Sequence, residues 1–160
     1  MAIIKGQEIM LMINGKSVAF ATNHTLNLNT ETSDVSSKDH GQWGAQEINR
    51  ITWEASTENL YCSYTNGVNN YDTLFDAMVA KQAIDMVFAK PSNWDKDGLV
   101  RGGNSAADAE TEWNAPATSY LTGKCHITSL QLNAPNGENA NYTATFTGAG
   151  PISRVGDSLV

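Results

Sequence analysis

The chain has 160 residues, ten Lys or Arg against seventeen Asp or Glu, and a formal net charge of −7. That length suits one domain with a real hydrophobic core. A chain this acidic, with no basic run, is a poor nucleic-acid binder, because binding requires Lys and Arg to displace counterions from phosphates.

Charged residues make up 17% of the chain, against ~25% in average soluble domains. The Asn, Thr, Ser and Gly in their place favour strands and turns, and they suit a surface hidden in an assembly. Residues 1–13 carry Lys5, Gln7 and Glu8 and lack the apolar stretch and cleavage site of a secretory leader. No apolar run nears the ~20 residues that span a bilayer. The expectation is a chain made in the cytoplasm, with no membrane partner.

Residues 8–13 (EIMLMI) read as a strand, and Asn14-Gly15 as a two-residue hairpin turn, since both types tolerate positive φ. Residues 17–21 return. From His24 to Asn29 the chain alternates, Leu26 and Leu28 on one side, Asn27 and Asn29 on the other. A polar stretch follows, a long loop at 31–46 whose core, Glu31 to Gly44, holds one aliphatic side chain, Val35. A loop of that length in a compact domain is usually functional. With no catalytic motif beside it, the expected ligand is another protein.

The next strand, 47–60, sets Ile51, Trp53, Ala55 and Thr57 on a core face and Thr52, Glu54, Ser56 and Glu58 on a polar face. Residues 70–82 change period. Tyr71, Leu74, Phe75, Met78 and Val79 make a helical stripe, Asn70 an N-cap, and Asp72 an acidic first turn. Residues 84–89 read as a strand and 91–117 as a second long irregular segment. Then comes Tyr120 to Leu132, interrupted by Gly123. Its apolar phase shifts between Ile127 and Leu130, which predicts a β-bulge at Thr128–Ser129. After the turn Pro135-Asn136-Gly137, a strand from Asn141 to Thr147 points Tyr142, Ala144 and Phe146 inward and Thr143, Thr145 and Thr147 outward. The sum is about seven strands and one helix: a mainly β, single-domain chain over 1–160, an antiparallel β-sandwich or open barrel with one flanking α-helix.

Candidate chemistry is thin. Asn93-x-Asp95-x-Asp97-Gly98 matches the first half of a calcium loop, but Asn104 stands where the closing Glu belongs, and a polar turn explains the segment as well. His24, His40 and His126 have no metal-helix spacing. Cys125 and His126 point to opposite faces of a strand, and Cys62 and Cys125 form no CxxC pair. Glu110 and Glu112 beside Trp94 and Trp113 allow a glycosidase-like sugar site, although glycosidase carboxylates usually come from separate elements. Separately, Trp94, Trp113 and Tyr120 as a platform, with residues 93–98 holding calcium, allow a carbohydrate-binding β-sandwich module. Catalytic, cofactor and metal residues are therefore assigned as none, and the chain is read as no enzyme.

Several features in order carry a resemblance: the opening Gly6-x-Glu8, the Ile13-Asn14-Gly15-Lys16 hairpin leading into VAFAT, the His24-Thr25-Leu26 strand, the ETSDVSSKD loop from Glu31, and the WEASTENLY strand from Trp53. Together they resemble the major tail tube proteins of long-tailed bacteriophages, which share a fold with the inner tubes of contractile injection systems and the type VI secretion tube protein. Residues 3–65 carry it best; 70–90 and 118–150 fit its helix and closing hairpin, and 91–117 match nothing.

The resemblance implies a β-sandwich with a flanking helix, built into rings of six subunits that stack as a hollow tube. Two hairpins per subunit would merge into one barrel around the lumen, and the long loop would reach a neighbouring subunit or ring. On that basis Glu31, Asp34, Ser36, Ser37, Lys38, Asp39, His40 and Trp43 are expected in an assembly loop. Asn27, Asn29, Thr52, Glu54, Ser56, Thr143 and Thr145 are expected to face the lumen. Implied partners are further copies of the chain, a tape-measure protein and tail terminator or initiator proteins, with DNA passing the lumen unbound. The implied location is the virion tail, assembled in the host bacterial cytoplasm. The inner tube of a contractile system is the alternative of the same fold.

Overall fold

The computed structural model describes residues 3–18, 20–61, 69–92, 94 and 113–156. Asn14 and Gly15 take φ of 52° and 80°, the left-handed values that a tight hairpin turn needs. They join β1 (Met10–Ile13) to the short β2 (Lys16–Ser17). β3 (Ala21–Asp34) and β4 (Gln46–Leu60) form a long hairpin. Helix α1 (Tyr71–Val79) leads to β5 (Ile84–Ala89), and β6 (Tyr120–Asn133) and β7 (Asn141–Val155) close the chain. All seven strands belong to one antiparallel sheet in the order β2-β1-β5-β6-β7-β4-β3.

The sheet curls. His24 on the last strand of that order meets Phe88 on the third, ring edge to ring face at 6.5 Å. The interior holds Leu11 and Ile13 from β1, Trp53 and Ala55 from β4, Ile84 and Met86 from β5, Cys125 from β6, Tyr142 and Phe146 from β7 and Leu74 from α1.

Trp53 organises that interior. It is 3% exposed, and its indole N–H donates to the Gly150 carbonyl at 2.8 Å. Its ring lies on two glycines: a Cβ built on Gly148 would stand 2.4 Å from it, and one on Gly123 2.8 Å. The glycines that interrupt β6 and β7 in sequence are thus the seat for an indole. They mark an irregularity, where Gly123 pairs Ile152 but Cys125 pairs Gly148. β7 does not stop at Thr147 as expected; it bends here, continues through Pro151 and ends at Val155. The second irregularity, between Ile127 and Ser129, is the bulge the apolar phase predicts.

Two further expectations change. Asn70 does cap α1, its side chain accepting from the Thr73 N–H at 3.0 Å. The helical stripe, however, is split. Leu74 is buried and Tyr71 packs on Tyr142, while Phe75, Met78 and Val79 are exposed, because the body covers only part of the helix. The loop expected at 31–46 is shorter. Glu31 to Asp34 is the end of β3, paired with Gln46 to Arg50, so only 35–45 is loop. A polar strand with no buried side leaves no apolar period to read.

Candidate functional site

Four strands, β3-β4-β7-β6, carry one continuous polar face. Register places its residues in rows across the strands. Asn23, Glu58, Thr143 and Gln131 share one row; Thr25, Ser56, Thr145 and Ser129 the next; Asn27, Glu54, Thr147 and His126 the third. Asn29 and Thr52 pair beyond them, then Glu31 and Arg50. All seven residues expected to line a lumen therefore lie on this one face: Asn27, Asn29, Thr52, Glu54, Ser56, Thr143 and Thr145. The first four are exposed, and the other three are half-buried among their neighbours.

Small polar side chains link neighbouring strands. The Thr25 and Ser56 hydroxyls share a hydrogen bond, as do Thr128 and Thr147 at 3.2 Å. Among the described residues β3 pairs only with β4, and β6 beyond Cys125 only with β7. The face therefore ends on both sides in a strand edge with open N–H and C=O groups, a template for another strand.

β3 and β4 run on past the rest of the sheet. β4 pairs with β7 only from Glu54 to Leu60, so Asn29–Asp34 and Gln46–Thr52 form a free two-stranded ribbon, roughly 20 Å long at ~3.3 Å per residue. One ribbon face continues the core face outward. Leu28 lies opposite Trp53 and Thr30 opposite Ile51. Asn49 is then an extra residue, since Glu31 pairs Arg50 but Thr32 pairs Ile48. This bulge turns Ile48 onto the face of Leu28 and Ile51. The three are 53%, 60% and 62% exposed for Leu28, Ile48 and Ile51 respectively. Sequence reasoning placed only polar function here. The bulge that re-phases Ile48 has no residue signature, although the exposed Leu28–Ile51 pair follows from the hairpin register.

The tip is knit by its own hydrogen bonds. Asp34 Oδ1 accepts from the Ser36 N–H at 2.8 Å, and the hydrogen bonds from Ser36 hold its carboxyl below the usual carboxylate range. Ser36 Oγ accepts from the Ala45 N–H at 2.7 Å, closing the loop neck. Ser37 caps a single turn, Lys38–His40, accepting from the Asp39 N–H, while His40 Nδ1 accepts from the Ser37 N–H at 3.0 Å. Gly41 at φ 63° turns the chain back. Trp43 then projects at 77% exposure. Of the assembly-loop residues, Ser36, Ser37, Lys38, Asp39, His40 and Trp43 sit in this tip, and Glu31 and Asp34 on the ribbon.

Among the described residues, the remaining candidates do not converge. Asn93, Asp95, Asp97, Gly98, Glu110, Glu112 and Cys62 lie outside the described residues. Trp113 is buried and Trp94 donates its indole N–H to the Gln7 carbonyl at 3.2 Å with Lys90 above its ring, so these two form no open aromatic platform. Burial, with Asp85 nearby, pushes the Cys125 thiol up to about 12, far from a reactive thiolate. Burial lowers the His24 imidazole to about 4. His24 borders a cleft of about 740 Å³ between β3 and β5, with Met10, Val18, Phe20, Phe88 and Trp113.

A family model described as phage tail tube protein matches residues 4–154. The chain belongs to that family. A tail tube protein is a structural subunit of a tail tube, and the polar face and ribbon are to be read in that light. Solved structures agree in fold. The native virion of a gene transfer agent and the tail of its empty particle, refined with C6 symmetry, each superpose with a TM-score of 0.68, at 14% and 13% identity, covering 96% of this chain and 100% of theirs. The SPP1 tail tube gives 0.66 at 7% identity, over 98% of this chain and 81% of the other. A structure of an extracellular contractile injection system, the PVC sheath/tube terminator, gives 0.61 at 8%, over 98% and 99%. No curated protein sequence matches.

Proposed function

We propose that six copies of this chain close into a ring in which the open edge of β3 in one copy meets the open edge of β6 in the next. The polar face then lines the lumen of one shared barrel. Six is the symmetry of the gene transfer agent tail. Six four-stranded walls give about 24 strands, and at ~4.8 Å per strand a circumference of ~115 Å and a diameter of ~37 Å. Barrels of 16–18 strands already hold an aqueous channel. Rings stack through the ribbon, and DNA passes the lumen without specific binding. Glu54 and Glu58, repeated around the ring, repel phosphate. The chain has no catalytic role. Its other contacts are a tape-measure protein and terminator or initiator proteins, and assembly takes place in the host cytoplasm.

The observation that carries this reading is the polar face bounded by two open edges. A sheet that ended there in water would present two aggregation templates; a closed ring removes both. The test is electron microscopy of the concentrated chain together with thiol labelling. Ser56→Cys in assembled rings or tubes is expected to react with a small maleimide and to resist one carried on a protein too wide for the lumen. Equal reaction with both reagents would put the face on the outside.

A further inference from the structure

We propose that Trp43, at the tip of the β3–β4 ribbon, seats in the cleft between β3 and β5 of a second copy and so joins successive rings head to tail. The inference rests on the tube-subunit reading and names the surface that receives the ribbon.

Position comes first. The ribbon, with the first part of β4, leaves the body at Thr52–Trp53, and the cleft is bordered by Phe20 and His24, where β3 begins, which pairs with the far end of β4. Knob and hole thus sit at opposite ends of the same hairpin. Two different patches that meet between identical copies make a heterologous contact, which repeats without limit and builds filaments.

Chemistry comes second. The indole of Trp43 stands almost wholly in water, at 77% exposure, with its backbone held by a hydrogen-bonded tip. A Trp side chain buries about 150–250 Å², and Trp is enriched among residues that dominate interfaces. The cleft offers Met10, Val18, Phe88 and Trp113 as walls and about 740 Å³ of room. Its polar members are Gln7, Thr22, Asn23 and His24, and none carries a charge at ordinary pH, since burial holds the His24 imidazole down at about 4. An uncharged, aromatic-lined recess is the environment that an indole prefers to water. The ribbon face of Leu28, Ile48 and Ile51 adds to the contact. An isolated two-stranded ribbon is at best marginally stable in water, and cover from a second copy removes that weakness.

The test is cross-linking in tubes assembled from the purified chain with Cys62 replaced by Ser. Gln42→Cys leaves Trp43 in place and is combined with Thr22→Cys or Gln7→Cys, one at each lip of the cleft. Mild oxidation is expected to give a ladder of linked chains with at least one of the two pairs and none with Gln42→Cys alone. Adding Trp43→Ala is expected to cut tube yield at least tenfold while single rings persist. Filling the hole by Ala21→Trp in a chain that keeps its wild-type melting temperature is expected to do the same. Tubes of normal length from Trp43→Ala, or intact tubes in which neither pair links, would overturn the docking and leave the tube-subunit reading standing. Absence of rings and tubes from the unmodified chain would instead overturn that reading, and the docking with it.

Discussion

The two halves of the β3–β4 hairpin are written in the same pattern and end in opposite environments. From Trp53 to Asn59 the alternate residues Trp53, Ala55, Thr57 and Asn59 are all buried, at 3% exposure or less. From Ile48 to Ile51, on the same face, the aliphatic side chains are about 60% exposed. Alternation decides which face a side chain occupies; it does not decide whether anything lies on that face. In the inner half β7 flanks β4 and the curled sheet covers its core face, whereas the outer half has only its hairpin partner. An uncovered continuation of a core face is what one subunit of an assembly shows when seen alone.

The comparison breaks hardest at the inner half. Trp53→Ala removes an indole that fills the core and donates to Gly150. It is expected to cost ~3–5 kcal/mol and to yield insoluble protein. Gly148→Val tests the same seat from the other side, since its Cβ would stand 2.4 Å from the Trp53 ring. Denaturant melts of both check the prediction. A soluble Trp53→Ala chain of normal stability that merely failed to assemble would move Trp53 into an interface.

The next effect is in pH. His24 falls from 6.5 in the unfolded chain to about 4 in the fold because burial disfavours the imidazolium. Between those values the unfolded chain binds the proton and the folded chain does not. Stability is therefore full above pH 6.5 and falls as pH drops toward 4, by about 3 kcal/mol from this group. His24→Phe is expected to flatten that stretch of the stability curve. An unchanged slope between pH 6.5 and 4 in the variant would show that another group carries it.

The outer half is predicted to behave in reverse. Ile48→Thr with Ile51→Thr changes side chains that touch mostly water, so the stability of the single chain should move by no more than ~0.5 kcal/mol. Assembly should suffer, because full burial of each aliphatic side chain is worth about 1.5–3 kcal/mol. Equal loss of stability and assembly would mean that the ribbon is already covered within its own chain.

These contrasts also mark what the sequence could show. The core alternation, the Asn14-Gly15 turn, the Asn70 cap and the bulge at Thr128 are local signals, and each is read from a few adjacent residues. The passage of β7 through Gly148 and Pro151 is not local. Glycine and proline read as breakers, and their purpose here is to receive Trp53, about a hundred positions earlier in the chain. The end of β3 was hidden for another reason: a ribbon that the rest of its own chain leaves uncovered has no required apolar period. The shared polar face of Asn27, Asn29, Thr52, Glu54, Ser56, Thr143 and Thr145 was legible because a polar row needs only alternation, whereas the cleft beside His24 is made by four separate segments and has no sequence signature.

The smallest effect on the isolated chain, and the most specific to function, is expected from Glu54→Lys. Glu54 lies in the row Asn27-Glu54-Thr147-His126 on the polar face, opposite in direction to Trp53, and is exposed. A carboxylate left in water loses little hydration on folding, so its replacement should barely move the melting temperature. In a closed ring, symmetry repeats the residue around the channel and stacking repeats it along the axis. The wild-type wall then repels phosphate, while a lysine wall attracts it and holds DNA by counterion release. Virions carrying Glu54→Lys should assemble normally and eject DNA more slowly. Because screening acts over ~8 Å at physiological salt, the delay should shrink as salt rises. Glu58, in the row nearer the strand's end, should show the same sign more weakly. Ejection kinetics across a salt series decide it. A wild-type rate would remove Glu54 from the lumen, and failure to assemble would place it in a contact between subunits.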